Sequence, residues 1–309
     1  MFLVCGEALF DFFLEREQGP GQASYDARAG GSPFNVAIGL ARLERSVGLL
    51  TGLSTDLLGQ RLRQVLEAES VSTRYSVSTA RPTTLSLVGL DTAGVPAYQF
   101  YDANSAGSGM TDVEVPEIGP EVTGFHFGSF SLVAEPAADA FASLARRHKD
   151  LFISLDPNIR PTVEPDMAVW RRRLAGLYPL ANLVKISAED LELLHPGRTA
   201  EDFAAEGLAN GVQLVIVTDG GEQARGWMAG GVSASATPPK SEVVDTVGAG
   251  DTFQAALLAT LLRGPQGPAE TLGAMDREGL AAMLAFAARA AAVTCTRRGA
   301  DLPRASELV

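Results

Sequence analysis

Short, almost unbroken apolar runs recur along the chain and alternate with segments of helical period. The runs are FLVCGEA (2–8), SVGLLTGLS (46–54), GFHFGSF (124–130), LFISLDP (151–157), NLVKIS (182–187) and VQLVIVTDG (212–220). Apolar residues spaced by three and four predict helices near 33–45, 56–68, 136–149, 165–178 and 199–210, then 251–263 and 277–296. A strand that is apolar at nearly every position is covered on both faces. The alternation therefore predicts an α/β protein, with a mostly parallel sheet between helices. Residues 8–30 and 72–103 break this rhythm with β-like, partly alternating segments such as TTLSLVGL and PAYQFYD, joined by the turn DTAGV. They predict a small β appendage on one body spanning 1–309, without repeats, low-complexity tracts or an obvious linker.

Composition narrows the function. Hydrophobic residues make up 46% and charged ones 20%, as in ordinary globular proteins. A net charge of −12 and a pI near 4.8 argue against nucleic acid or an anionic membrane as partner. Lys149, Lys185 and Lys240 are the only lysines. Cys5 and Cys295 form no CxxC pair, which fits a reducing cytosol. The opening MFLVCGEALFDFF has Glu7 and Asp11 and no basic region, unlike a signal peptide. No uninterrupted apolar stretch is expected to span a bilayer, since even LAAMLAFAARAAAV contains Arg289.

Ligands of open α/β sheets bind beyond the carboxyl ends of the strands. GEALFD, GGSPFN, GSFSL, DPNIR, KISAED, TDGGE and DTVGAGD all fall there, which points to one cleft. The clearest chemistry is in Gly248-Ala249-Gly250-Asp251, at the start of an apolar helix. Unpaired N–H groups and a positive partial charge at such a helix start suit phosphate or a developing anion. Asp251 by itself could be an N-cap, and Ser32 before Pro33 could cap the helix of GGSPFNVA. Asn35 and Asp11 suit sugar hydroxyls, the first as donor and acceptor, the second as a two-oxygen acceptor. Other motifs fail: no lysine sits in a Walker A loop, and Phe253 stands where a Rossmann third glycine belongs. No protein-kinase lysine strand, HExxH or nucleophile elbow is present, and His126, His148 and His195 are isolated.

GGSPFNVA and DTVGAGDTF, in that order and separation, resemble the two signatures of the ribokinase-like (PfkB) carbohydrate kinases. GEALFD near the N-terminus and TRRGA near the C-terminus extend the resemblance along the chain. The resemblance implies a three-layer α/β/α sandwich with a small β lid, and transfer of the ATP γ-phosphoryl group, with Mg²⁺, to a sugar hydroxyl. It makes Asp251 the catalytic base and the backbone of Gly248, Ala249 and Gly250 the anion hole. Asp11, Gly30, Gly31 and Asn35 fall at sugar-contacting positions, joined by Tyr101 and Asp102 of the lid and Arg160 of DPNIR. Lys185, Ser187, Thr218, Gly220 and Gly221 fall on the nucleotide side. Asp245, Val247, Arg297 and Gly299 fall where family members hold a monovalent cation such as K⁺. The Asn-x-x-Glu that organises Mg²⁺ appears here as Ser187-Ala188-Glu189-Asp190, leaving Glu189 and Asp190 as alternatives and Ser187 also readable as a helix cap. GEALFD, FGSFSL followed by EP, and DPNIRP resemble the fructokinase and 2-keto-3-deoxygluconate kinase branch, with fructose the expected substrate. A silent sugar-binding protein on the same fold is the alternative of a different class, and lid sheets in this family can form homodimer contacts.

Overall fold

In the computed structural model, residues 1–90 and 96–308 are described. The turn DTAGV (91–95) lies outside them. In chain order the strands and helices are β1 (Phe2–Cys5), β2 (Leu9–Glu17), β3 (Ala23–Gly30), α1 (Ser32–Arg42), β4 (Val47–Leu50), β5 (Gly52–Ser54) and α2 (Leu57–Ala68). Then come β6 (Val77–Thr79), β7 (Thr84–Leu90), β8 (Pro96–Tyr101), β9 (Gly124–Gly128), α3 (Ala137–Arg147), β10 (Phe152–Asp156) and α4 (Met167–Leu177). The rest is β11 (Leu183–Ser187), α5 (Ala188–Leu194), α6 (Ala200–Ala209), β12 (Leu214–Asp219), β13 (Gln223–Met228), β14 (Ser233–Ala236), α7 (Ala249–Leu261), α8 (Pro268–Gly273) and α9 (Arg277–Cys295).

The main sheet has eight strands in the order β14-β13-β12-β11-β10-β9-β1-β4. It is parallel from β12 to β4, and β13 and β14 add an antiparallel edge. The apolar runs of the sequence form its buried centre. Phe2 and Val4 face one core with α1, α7 and α9, while Leu3 and Cys5 face the other with α3, α4 and α6. Burying one such side chain contributes about 1.5–3 kcal/mol, so two faces double what each strand supplies. The edge strand β13 was not predicted. Its burial alternates residue by residue, so QARGWM lacks the continuous apolar signal.

SVGLLTGLS is not one strand. It divides at Thr51 into β4 of the main sheet and β5, which pairs with β6. A Cβ on Gly52 would lie 1.8 Å from the carbonyl oxygen of Ala106, so the chain turns here against another backbone. The smaller four-stranded sheet has the order β3-β2-β7-β8, drawn from within the two segments that break the α/β rhythm. α9, 19 residues long, is apolar enough to cross a bilayer by length and composition, contrary to the sequence expectation. In the fold it buries Leu280, Met283, Leu284 and Ala287 in the core, and Arg289 donates to the carbonyl of Leu308 at 2.9 Å.

Candidate active site

The chain leaves β1 towards β4 on one side and continues through β9 on the other, so strand order reverses at the β1–β9 pair. A crevice opens at such a switch point. Two helices begin there without side-chain caps: α1 after Gly31 and α7 after Gly248. In contrast, α2, α4, α6 and α9 are capped by Asp56, Asp166, Thr199 and Asp276. Gly248 has φ 79°, and a Cβ there would lie 2.6 Å from that of Ala300. Glycine alone meets both demands. The N–H groups of Gly250 and Asp251 have no acceptor among the described residues and remain available to an anion.

Neither Ser32 nor Asp251 acts as a helix cap. Asp251 is the third residue of α7, and its carboxylate turns to α1 instead of its own backbone. Ser32 donates to Oδ1 at 2.6 Å and Asn35 Nδ2 donates to Oδ2 at 2.8 Å. Ser32 thus spends its hydroxyl on Asp251 while Gly31 takes the cap position. Burial raises the Asp251 carboxyl above its ordinary range, opposed by the bonds from Ser32 and Asn35 and by the Arg160 charge. A buried carboxylate held by two donors, beside uncapped N–H groups, can take a proton from a hydroxyl attacking an anionic centre.

Arg160 is the cationic hub of the cleft. It donates to the carbonyls of Ile159 and Asn158 at 2.9 and 3.3 Å, and its charge acts on Glu7, Asp11, Asp190 and Asp251. Asp11 lies against Gly30, where a Cβ would stand 2.8 Å from Oδ2. Burial raises its carboxyl. Asp102 does not point to solvent: Ser105 and Thr84 hydroxyls donate to Oδ1 at 2.8 and 3.2 Å. Strand alternation separates Tyr101 from this group. Tyr101 pairs with Leu85 and Asp11 with Ser86, so the two lie on opposite faces, and Tyr101 is 51% exposed.

Sequence reasoning passed over Glu7. It is 2% exposed with Oε2 unpartnered, and burial lifts its carboxyl to about 7. Ser129, which opposes that rise, is a buried non-glycine residue at φ 60°. An acid inside the apolar opening run was the available signal.

On the other side of α7, Lys185 donates to Asp156 at 2.6 Å, with both side chains buried. Its Nζ lies 3.7 Å from where a Cβ on Gly250 would be. Ser187 caps α5, accepting from the Asp190 N–H at 3.0 Å. Glu189 is exposed, whereas Asp190 is buried beside Asp156, and burial with that neighbour raises its carboxyl to about 6. Thr218, Gly220 and Gly221 lie at the β12–β13 hairpin, where Gly220 has φ 45°. Asp245 ties two loops, accepting from Val247 at 3.1 Å and from Gly299 at 2.8 Å. Arg297 is engaged by Glu307 and Asp301. Val243 and Val244 are exposed and outside any strand. No group of three metal-ligating side chains occurs among the described residues.

A buried carboxylate bound by two α1 donors thus lies at a strand-order switch beside an uncapped helix start, a setting suited to phosphoryl transfer to a hydroxyl. The chain belongs to the pfkB family of carbohydrate kinases, whose profile matches residues 1–307. Among its relatives is a fructokinase of Rhizobium leguminosarum bv. trifolii, 38% identical over 264 residues, covering 84% of this chain and 79% of that one. Among solved structures, fructokinase with bound ATP from Xylella fastidiosa superimposes with a TM-score of 0.90 at 27% identity, over 99% of this chain and 96% of that one. Aminoimidazole riboside kinase from Salmonella enterica, complexed with aminoimidazole riboside and an ATP analogue, gives 0.84 at 26% identity, over 99% and 98% of the two chains.

Proposed function

We propose that the protein transfers the γ-phosphoryl group of ATP to fructose, giving fructose 6-phosphate. The observation that carries the transfer is Asp251, fixed by Ser32 and Asn35 beside the uncapped start of α7. In this reading Asp251 takes the hydroxyl proton while the N–H groups of Gly250 and Asp251 receive the phosphoryl charge, that of Ala249 being spent on the Thr246 carbonyl at 3.2 Å. Asp11, Gly30, Gly31, Asn35 and Arg160 bind the sugar, and the four-stranded sheet serves as its lid. The hairpin of Thr218, Gly220 and Gly221 binds ATP, with Lys185 and Ser187 on its phosphate side. Mg²⁺ binds through ATP phosphates and one or two carboxylates. Buried Asp190 suits that donor set better than exposed Glu189. The ion would supply charge neutralisation between phosphates. The loops of Asp245, Val247, Arg297 and Gly299, tied together by Asp245, would hold a monovalent cation. Two unpaired cysteines and the acidic surface accord with the cytoplasm, and exposed Tyr25 and Tyr101 on the small sheet offer a homodimer contact.

Fructose is supported by the fructokinase relatives and by Asp102, which sets a negative charge where an acid sugar's carboxylate would meet repulsion. ATP depletion across a sugar panel tests this. Fructose should exceed 2-keto-3-deoxygluconate in kcat/KM by about ten- to a hundredfold, the effect of one lost charge-assisted bond. A preference for the acid sugar overturns the assignment, and sugar binding without ADP release would make the protein a silent binder.

A further inference from the structure

On the α7 face of the main sheet, a polar column interrupts the apolar alternation. His126 of β9, Ser154 and Asp156 of β10, Lys185 of β11 and Gln254 of α7 are all at most 3% exposed. Register puts them together: His126 pairs with Ser154, and Gly128 with Asp156. Gln254 Nε2 donates to Ser154 Oγ at 2.8 Å, and Ser154 Oγ lies 3.2 Å from His126 Nδ1. Apolar side chains would fill this space without leaving His126 Nε2, Asp156 Oδ1 and Gln254 Oε1 unpartnered, as they are. Packing alone gives no reason for the column.

Its upper end supplies one. Lys185 Nζ is bound to Asp156 at 2.6 Å and lies 3.7 Å from the Cβ position of Gly250, in the first turn of α7. Asp156 supplies the buried counter-charge and fixes the amine's direction. Beside Arg160, Lys185 is a second cation near the start of α7. His126 is held neutral, its pKa lowered to about 3 by burial and then by Lys185. Asp190 and Asp251 are acids, and Arg160 reaches both from the DPNIR loop.

We infer that Asp156 is a positioning residue for phosphoryl transfer, orienting Lys185 beneath the first turn of α7 to stabilise the transferring group. This rests on the kinase reading above. In the step concerned, the sugar oxygen forms a bond to the γ-phosphorus as the bond from that phosphorus to the ADP oxygen breaks. ADP leaves with the electron pair and Asp251 receives the hydroxyl proton. The charge spread over the phosphoryl oxygens is met by the α7 N–H groups from the front and by Lys185 from below.

Steady-state kinetics with fructose and MgATP test the inference. Lys185→Met should lower kcat by about 10²–10³-fold, the effect of removing one preorganised donor, with KM for fructose changed less than about threefold. Asp156→Asn keeps the shape and an acceptor for Lys185 but removes the charge. Its kcat should fall by about tenfold or more while KM for fructose changes less than about threefold. Asp156→Asn/Lys185→Met removes both buried charges, so it guards against misfolding of the single variants, and should match Lys185→Met in kcat. A Lys185→Met or double variant that keeps more than about a third of wild-type kcat overturns the inference, as does an Asp156→Asn variant that keeps wild-type kcat. Wild-type protein inactive on every sugar of the panel would instead overturn the kinase reading.

Discussion

Replacing Asp251 with Asn separates chemistry from structure. The carboxylate accepts from Ser32 at 2.6 Å and from Asn35 at 2.8 Å. An amide can keep both contacts: its oxygen faces Asn35 Nδ2, and its nitrogen donates to Ser32, whose hydroxyl can accept. One imperfect hydrogen bond is worth about 1 kcal/mol, so the thermal midpoint should move by only about 2–4 °C. The proton acceptor, however, is gone. Losing a general base lowers kcat by about 10²–10⁴-fold, equivalent to roughly 3–5 kcal/mol in the barrier. The two effects therefore differ severalfold and are separable. Burial raises the Asp251 carboxyl, so wild-type kcat/KM should decline with falling pH already above the ordinary carboxylate range, as the base becomes protonated. Asp251→Asn should lack this limb. ADP release measured against fructose, beside a melting curve and a single-turnover control, provides the assay. If Asp251→Asn keeps more than about a tenth of wild-type kcat with chemistry rate-limiting, the base assignment is refuted.

Glu7 predicts a pH dependence of stability. Burial raises its carboxyl from 4.5 to about 7, so its favourable contribution is full below pH 4.5 and lost as pH rises through about 7. The shift corresponds to about 3 kcal/mol, and urea unfolding of Glu7→Gln should show the variant gaining on wild type by that order across the window; parallel curves would refute it. Gly250→Val tests the anion cradle, because a Cβ at that position meets only Lys185 Nζ at 3.7 Å. Branches there intrude on the phosphate space rather than the core, so kcat should fall at least about a hundredfold while the melting point drops by only a few degrees. Equal collapse of both would make the glycine a folding residue.

The apolar runs by themselves determined the parallel core. Strands buried on both faces, such as FISLD and LVIVT, carry their signal locally, and so do the intervening helical periods. The glycine–aspartate turn and GGSPFN likewise identified the two helix starts that form the site. Their side-chain roles were not legible. Asp251 and Ser32 both satisfy the composition of an N-cap, and only the approach of α1 to α7 turns them towards each other, 219 residues apart in sequence. Strand alternation moved Tyr101 to the far face, a consequence of pairing register that a single segment does not encode. Burial distinguishes Glu189 from Asp190, adjacent residues that differ in which side of α5 meets the core. The polar column of His126, Ser154, Asp156 and Lys185 comes from three separate strands, each with one or two polar residues in an apolar run. Local sequence fixes which elements form, because propensity and period act over a few residues. Which oxygen meets which proton depends on contacts between distant elements, and those arise only when the sheet and its helices assemble.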